Sequence, residues 1–172
     1  LIGVGSYASA KISKLDGPPF DVAAVQAEIT GRWGFPLANV RVLIDAQATR
    51  KNILDGLDWL IAVSRPGDEI LIYFSGHGTS RQDRTQLQYG LHPSTGAVLP
   101  YDLRPTSEQA VLDSLIVGRR DLRPRLERLD VDRRVLVVLD SCYSRNATRS
   151  FARPRGAAKA APLFGELEGF SA

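Results

Sequence analysis

The sequence contains no methionine and a single cysteine, Cys142. One cysteine excludes an internal disulfide, fits a reducing, cytoplasmic compartment and leaves a lone thiol as a candidate for chemistry. No apolar run approaches the roughly 20 residues that span a bilayer, so no membrane association is expected. No signal peptide is visible, although the chain opens inside an apolar run, Leu1-Ile2-Gly3-Val4, which leaves an upstream segment open. No internal repeat is found. Net charge is only +3 and the basic residues form no single stripe, so nucleic acid is not an expected partner. What is present is the composition of a soluble globular protein, 44% hydrophobic and 24% charged over 172 residues. That length suits one domain and buries a core without a disulfide or metal.

The hydrophobic pattern alternates between strand and helix. Residues 1–5 form a short apolar run, and Val22, Val25 and Ile29 mark one face of a helix over 21–31. Residues 40–44 read as a strand. Thr49 is placed to cap a helix that buries Ile53, Leu54, Leu57, Leu60 and Ile61, and Pro66-Gly67-Asp68 makes a turn. Residues 70–74 and 135–139 are unbroken apolar runs, the pattern of central strands covered on both faces. Between them, Asp121 is expected to cap a helix with Leu122, Leu126 and Leu129, with Pro124 tolerated in its first turn. A hairpin is expected around 87–101, turning at Ser94-Thr95-Gly96, and residues 145–162 read as a flexible linker. The alternation predicts an α/β fold with a mainly parallel central sheet and helices on both faces.

Ligands of open parallel sheets bind at the carboxyl ends of the strands, and both strong strand predictions end in reactive groups. The first runs into Ser75-Gly76-His77-Gly78, the second into Asp140-Ser141-Cys142-Tyr143-Ser144. If the strands are neighbours, His77 and Cys142 face each other across one crevice. A thiolate is the nucleophile, an adjacent imidazole raises its population, and the imidazolium then protonates a leaving amine. The N–H groups of Gly78 and Cys142 would stabilise an oxyanion. On the residues alone, a lone cysteine after a strand is equally a buried small hydrophobe, and a histidine between glycines can be structural.

Tyr73-Phe74-Ser75-Gly76-His77-Gly78 and Asp140-Ser141-Cys142-Tyr143-Ser144 resemble the paired histidine and cysteine motifs of the caspase–hemoglobinase clan, above all metacaspases and their bacterial relatives, the orthocaspases. Arg145 replaces the family's usual glycine. The resemblance covers about residues 1–150 and implies a three-layer caspase-like fold with Cys142 and His77 as the catalytic dyad. Leu15, Gly17 and Asp21 match a third family motif, though Pro18 and Phe20 replace its Cys and Asn. That match implies that Asp21, Ser75 and Asp140 form the pocket for the side chain before the scissile bond. Two carboxylates attract a guanidinium or ammonium and repel aspartate, so protein substrates cut after Arg or Lys are expected. Asp21 is also suited to capping a helix.

The resemblance divides the chain into a catalytic large-subunit domain, 1–150, and a linker or start of a small-subunit region, 151–172. Arg145, Arg149, Arg153, Arg155 and Lys159 would suit self-cleavage by such an enzyme, leaving its own small-subunit fragment as a partner. No cofactor is expected, and calcium dependence is left open. Many metacaspases bind calcium, but the corresponding region offers only Asp83, Asp102, Glu108 and Asp113, dispersed where calcium takes six to eight oxygens. Three rival readings remain. One is a nucleotide site at Gly3-Val4-Gly5-Ser6-Tyr7-Ala8, which would require a helix to start at the glycines. Another is a catalytically inactive caspase-like scaffold. The third is a caspase-like enzyme of another specificity, if Asp21 only caps the helix.

Overall fold

The structure, a computed structural model, describes residues 1–80 and 95–141. In chain order its elements are β1 (Ile2–Gly3), α1 (Pro18–Gly31), β2 (Leu43–Ile44), α2 (Arg50–Val63), β3 (Glu69–Ser75), β4 (Gly78–Ser80), β5 (Gly96–Val98), α3 (Glu108–Ser114), β6 (Ile116–Val117), α4 (Arg123–Leu129) and β7 (Arg134–Asp140). Four strands form a parallel sheet in the order β2-β1-β3-β7, and β4, β5 and β6 form a separate antiparallel sheet.

Alternation along β3 divides the layers. Ile70, Ile72 and Phe74 point into the main core with Ile53, Leu54 and Leu57 of α2 and Leu126 and Leu129 of α4. The intervening positions, Leu71, Tyr73 and Ser75, lie on the other face, where α1 packs across β1 and β3. Helices therefore cover both faces, as expected of three layers. Burying the 24 hydrophobic side chains that are buried among the described residues, on the two faces of the sheet together, supplies the main driving force for the fold.

Several local expectations are met. Thr49 caps α2 by accepting the Asn52 N–H at 3.2 Å, and Gly67 makes its turn at φ +90°. Others are corrected. Helix α1 starts at Pro18 rather than 21, because two prolines fit a first turn whose N–H groups have no intrahelical partner. The strand read over 40–44 shrinks to Leu43–Ile44, since Leu37–Asn39 form a 3₁₀ turn. Asp121 caps nothing. It is buried in a π-type turn (Gly118–Leu122), where it accepts the Val117 N–H at 2.7 Å and pairs with Arg50 and Arg120.

Gly96 is not in a turn. It opens β5, opposite Ser80 of β4, and the rest of the expected hairpin falls largely outside the described residues, as do 145–162. Nor is β7 covered on both faces. Among the described residues it lies at the sheet edge with β3 as its one neighbour, and Val138 is 37% exposed.

Candidate active site

The pairing of β3 with β7 runs in unbroken register from Glu69 opposite Arg134 to Ser75 opposite Asp140. Both strands thus end at the same level, and Gly76 N–H donates to Asp140 O at 3.2 Å just beyond the last pair. Side chains directly opposite on parallel neighbours share a face, so Ser75 and Asp140 stand side by side. Asp21 reaches them from above. It sits in the first turn of α1, whose first residue follows an uncapped Gly17, and its Oδ2 accepts the Ser75 hydroxyl at 2.8 Å. The capping alternative for Asp21 therefore fails, and the carboxylate is turned toward the strand ends. Ser75 is buried, Asp21 half-buried and Asp140 exposed, so two carboxylates gather near a buried hydroxyl at the strand ends.

Tyr73 belongs to this cluster, and sequence reasoning did not single it out. Two residues before Ser75, it shares that residue's face. Burial raises its phenol to about 12, and the nearby carboxylates of Asp140 and then Asp21 push it the same way. A tyrosine inside an apolar strand run reads as core, so only its proximity to the two acids reveals it.

His77 leaves β3 through Gly76. A Cβ on Gly76 would lie 3.0 Å from the Phe74 ring and 3.2 Å from Val4 O, so a side chain there would crowd both. The imidazole is half-buried, with Nε2 2.9 Å from the Ser13 carbonyl. A carbonyl only accepts, so Nε2 carries a proton, and in the neutral ring Nδ1 then offers its lone pair. The Tyr7 ring stacks on the imidazole at 5.4 Å, and the Tyr7 hydroxyl accepts the His77 N–H at 2.9 Å. Neither Tyr7 nor the Ser13 carbonyl carried a sequence signal, the latter because any residue supplies a backbone oxygen.

Leu99 N–H donates to His77 O at 3.0 Å, and Gly78 stands opposite Val98. Hydrogen-bonded and open rungs alternate in an antiparallel pair, so the Gly78 N–H points away from β5. Cys142 lies outside the described residues.

The glycines near β1 do not make a nucleotide cradle. The Gly5 and Ser6 N–H groups are already taken by Asp45 Oδ1 at 2.8 and 2.9 Å, and α1 begins well downstream. A Cβ at Gly5 would meet Leu15 O at 2.5 Å, so this glycine serves close backbone packing. The carboxylates considered for calcium are also engaged separately. Asp102 accepts the Arg50 N–H at 2.7 Å and Asp113 accepts from Gln109 at 2.8 Å, while Asp83 is outside the described residues.

Residues 1–150 match the family model described as metacaspase, peptidase C14 domain. Metacaspase-7 of Arabidopsis thaliana is 30% identical over 152 residues, covering 84% of this chain and 34% of the relative. Metacaspase-1 of Candida albicans is 29% identical over 152 residues, covering 84% of this chain and 32% of the relative. The chain thus spans about a third of the length of these curated relatives. Among solved structures, protein GSU0716 from Geobacter sulfurreducens is similar in fold, with a TM-score of 0.56 and 22% identity over 82% of this chain and 48% of that one.

Proposed function

The chain belongs to the metacaspase family, and from that premise we propose that it is a cysteine endopeptidase cutting after Arg or Lys, with Cys142 as nucleophile and His77 as base. The observation that carries this reading is the ladder ending at Ser75 opposite Asp140, with Asp21 bonded to Ser75. His77 lies two residues beyond one end of that rung and Cys142 two residues beyond the other.

In this reading the Ser13 carbonyl holds Nε2–H, and Nδ1 takes the Cys142 proton. The thiolate attacks the substrate carbonyl carbon, and the N–H groups of Gly78 and Cys142 receive the oxyanion. The imidazolium then passes its proton to the departing amine, leaving an acyl-enzyme. A water, deprotonated by the same Nδ1, hydrolyses it and restores the thiol. Asp21 and Asp140 receive the guanidinium or ammonium of the residue before the cut, and Ser75 keeps Asp21 aimed at it. Turnover unchanged by EGTA is the outcome expected of this mechanism, and loss of turnover would show a dependence on calcium. Cleavage in the basic segment after Cys142 would release a small-subunit fragment able to stay as partner.

The test uses matched fluorogenic peptides ending in Arg, Lys or Asp, with Cys142→Ala as control. Cleavage after Arg and Lys that falls to background in the variant is the expected result. Cleavage after Asp would overturn the acidic pocket, and activity surviving in Cys142→Ala would overturn the nucleophile.

A further inference from the structure

The imidazole of His77 is contacted on two sides by groups the chemistry above does not consume. On one edge is the Ser13 carbonyl. Across one face is Tyr7, 9% exposed, whose backbone is fixed by the residues flanking it. Ser6 N–H binds Asp45 Oδ1 at 2.9 Å and Ala8 N–H binds Tyr101 O at 2.9 Å. The phenol therefore presents a rigid wall rather than a mobile ring.

Its hydroxyl also enters the backbone network of the β4–β5 sheet. Leu99 N–H donates to His77 O, and an ordinary ladder would return the His77 N–H to Leu99. That N–H goes to the Tyr7 hydroxyl instead, at 2.9 Å. One side chain thus holds the histidine by its main chain and by its ring, the centroids 5.4 Å apart and the planes 30° apart, within the range of offset stacking.

We propose that Tyr7 is a positioning residue for His77, fixing the plane of the imidazole so that Nε2 stays on the Ser13 carbonyl and Nδ1 is left for proton transfer. The role of that ring rests on the peptidase reading, but the geometry of the clamp does not. The Ser13 carbonyl selects the Nε2–H tautomer and the Tyr7 face holds the ring plane in which that bond is made, so loss of the wall would free the imidazole to leave Ser13. Asp45, the charged group behind Tyr7, is occupied by the Gly5 and Ser6 N–H groups and supports the wall from the far side.

Tyr7→Phe keeps the stacking face and removes the acceptor; Tyr7→Leu removes both. In the full chain, kcat on an Arg peptide is expected to fall about tenfold in the first and about a hundredfold in the second, with KM within about twofold, as for loss of orientation rather than of binding. A second readout needs no turnover. In a Cys142→Ala, His92→Gln background, one imidazole remains, and its nitrogen-15 spectrum should show a single Nε2–H tautomer. With Tyr7→Leu added, the two nitrogen shifts should move toward their average, while an unfolding curve shows the variant folded. Retention of the single tautomer in folded Tyr7→Leu, or unchanged kcat in both variants, would overturn the proposal. If the unmodified chain cleaves no peptide, the peptidase reading fails, and the imidazole spectra still decide on Tyr7.

Discussion

Asp21 lies in the first turn of a helix, where a carboxylate also suits the positive end of the backbone dipole, yet its observed partner is a hydroxyl on a neighbouring strand. In the proposed function, that partner aims the carboxylate at the basic side chain of the substrate. Hydrogen bonds to charged groups contribute about 1.5–3 kcal/mol, so Asp21→Asn should lower kcat/KM on Arg peptides by roughly tenfold to a hundredfold, with little change in thermal stability because an amide oxygen still accepts from Ser75. Steady-state kinetics on paired Arg and Lys peptides would check this. An unchanged kcat/KM would leave Asp21 as an anchor between α1 and β3. Ser75, His77 and Asp140, which the structure brings to one pair of strand ends, were legible because they abut strong strand signals. Tyr7, Ser13 and Tyr73 were not, because a stacking face, a carbonyl and a strand tyrosine look like ordinary structure until a distance connects them.

Asp121 shows how an element can be read correctly and its anchor misread. The helix with Leu122, Leu126 and Leu129 was legible from its spacing, but the acidic residue before it binds inward. Its carboxylate takes Val117 N–H, Arg50 at 2.6 Å and Arg120 at 2.9 Å, tying β6 and the π-type turn to the start of α2. Asp121→Ala leaves the buried Val117 N–H without its acceptor and takes the carboxylate from both Arg50 and Arg120, which keep only backbone carbonyls, and should cost about 3 kcal/mol in urea denaturation; a loss under about 1 kcal/mol would mean that the surroundings relax or water replaces the carboxylate. The antiparallel trio β4, β5 and β6 escaped detection for a different reason. Strands of two or three residues are too short to show alternation, and their order depends on contacts distant in sequence. Helix α3, capped by Ser107 through the Ala110 N–H at 3.2 Å, was likewise hidden in the mixed stretch.

At the scale of the whole molecule, the fold class followed from alternation of strong strands and amphipathic helices, and the layers confirm it. The same packing makes an alkaline limit. Burial raises Tyr7 to about 12, the His77 N–H opposing the shift and Asp45 adding to it, and Tyr73 also rises to about 12. The folded state holds both phenol protons above the unfolded value near 10. Their contribution is complete below pH 10 and is lost as pH rises from 10 toward 12. Urea midpoints measured across that window should fall, and Tyr7→Phe combined with Tyr73→Phe should flatten the slope. An equally steep fall in the double variant would place the limit elsewhere. Finally, the paired rungs from Glu69–Arg134 to Ser75–Asp140 act as a ruler for the strand ends. A deletion inside either strand would shift the register and turn one acidic partner to the opposite face. Length changes in connections that return to the sheet in the same register would leave this rung intact. Spacing between the histidine and the cysteine along the chain can therefore drift through insertion and loss, whereas the paired strands tolerate neither.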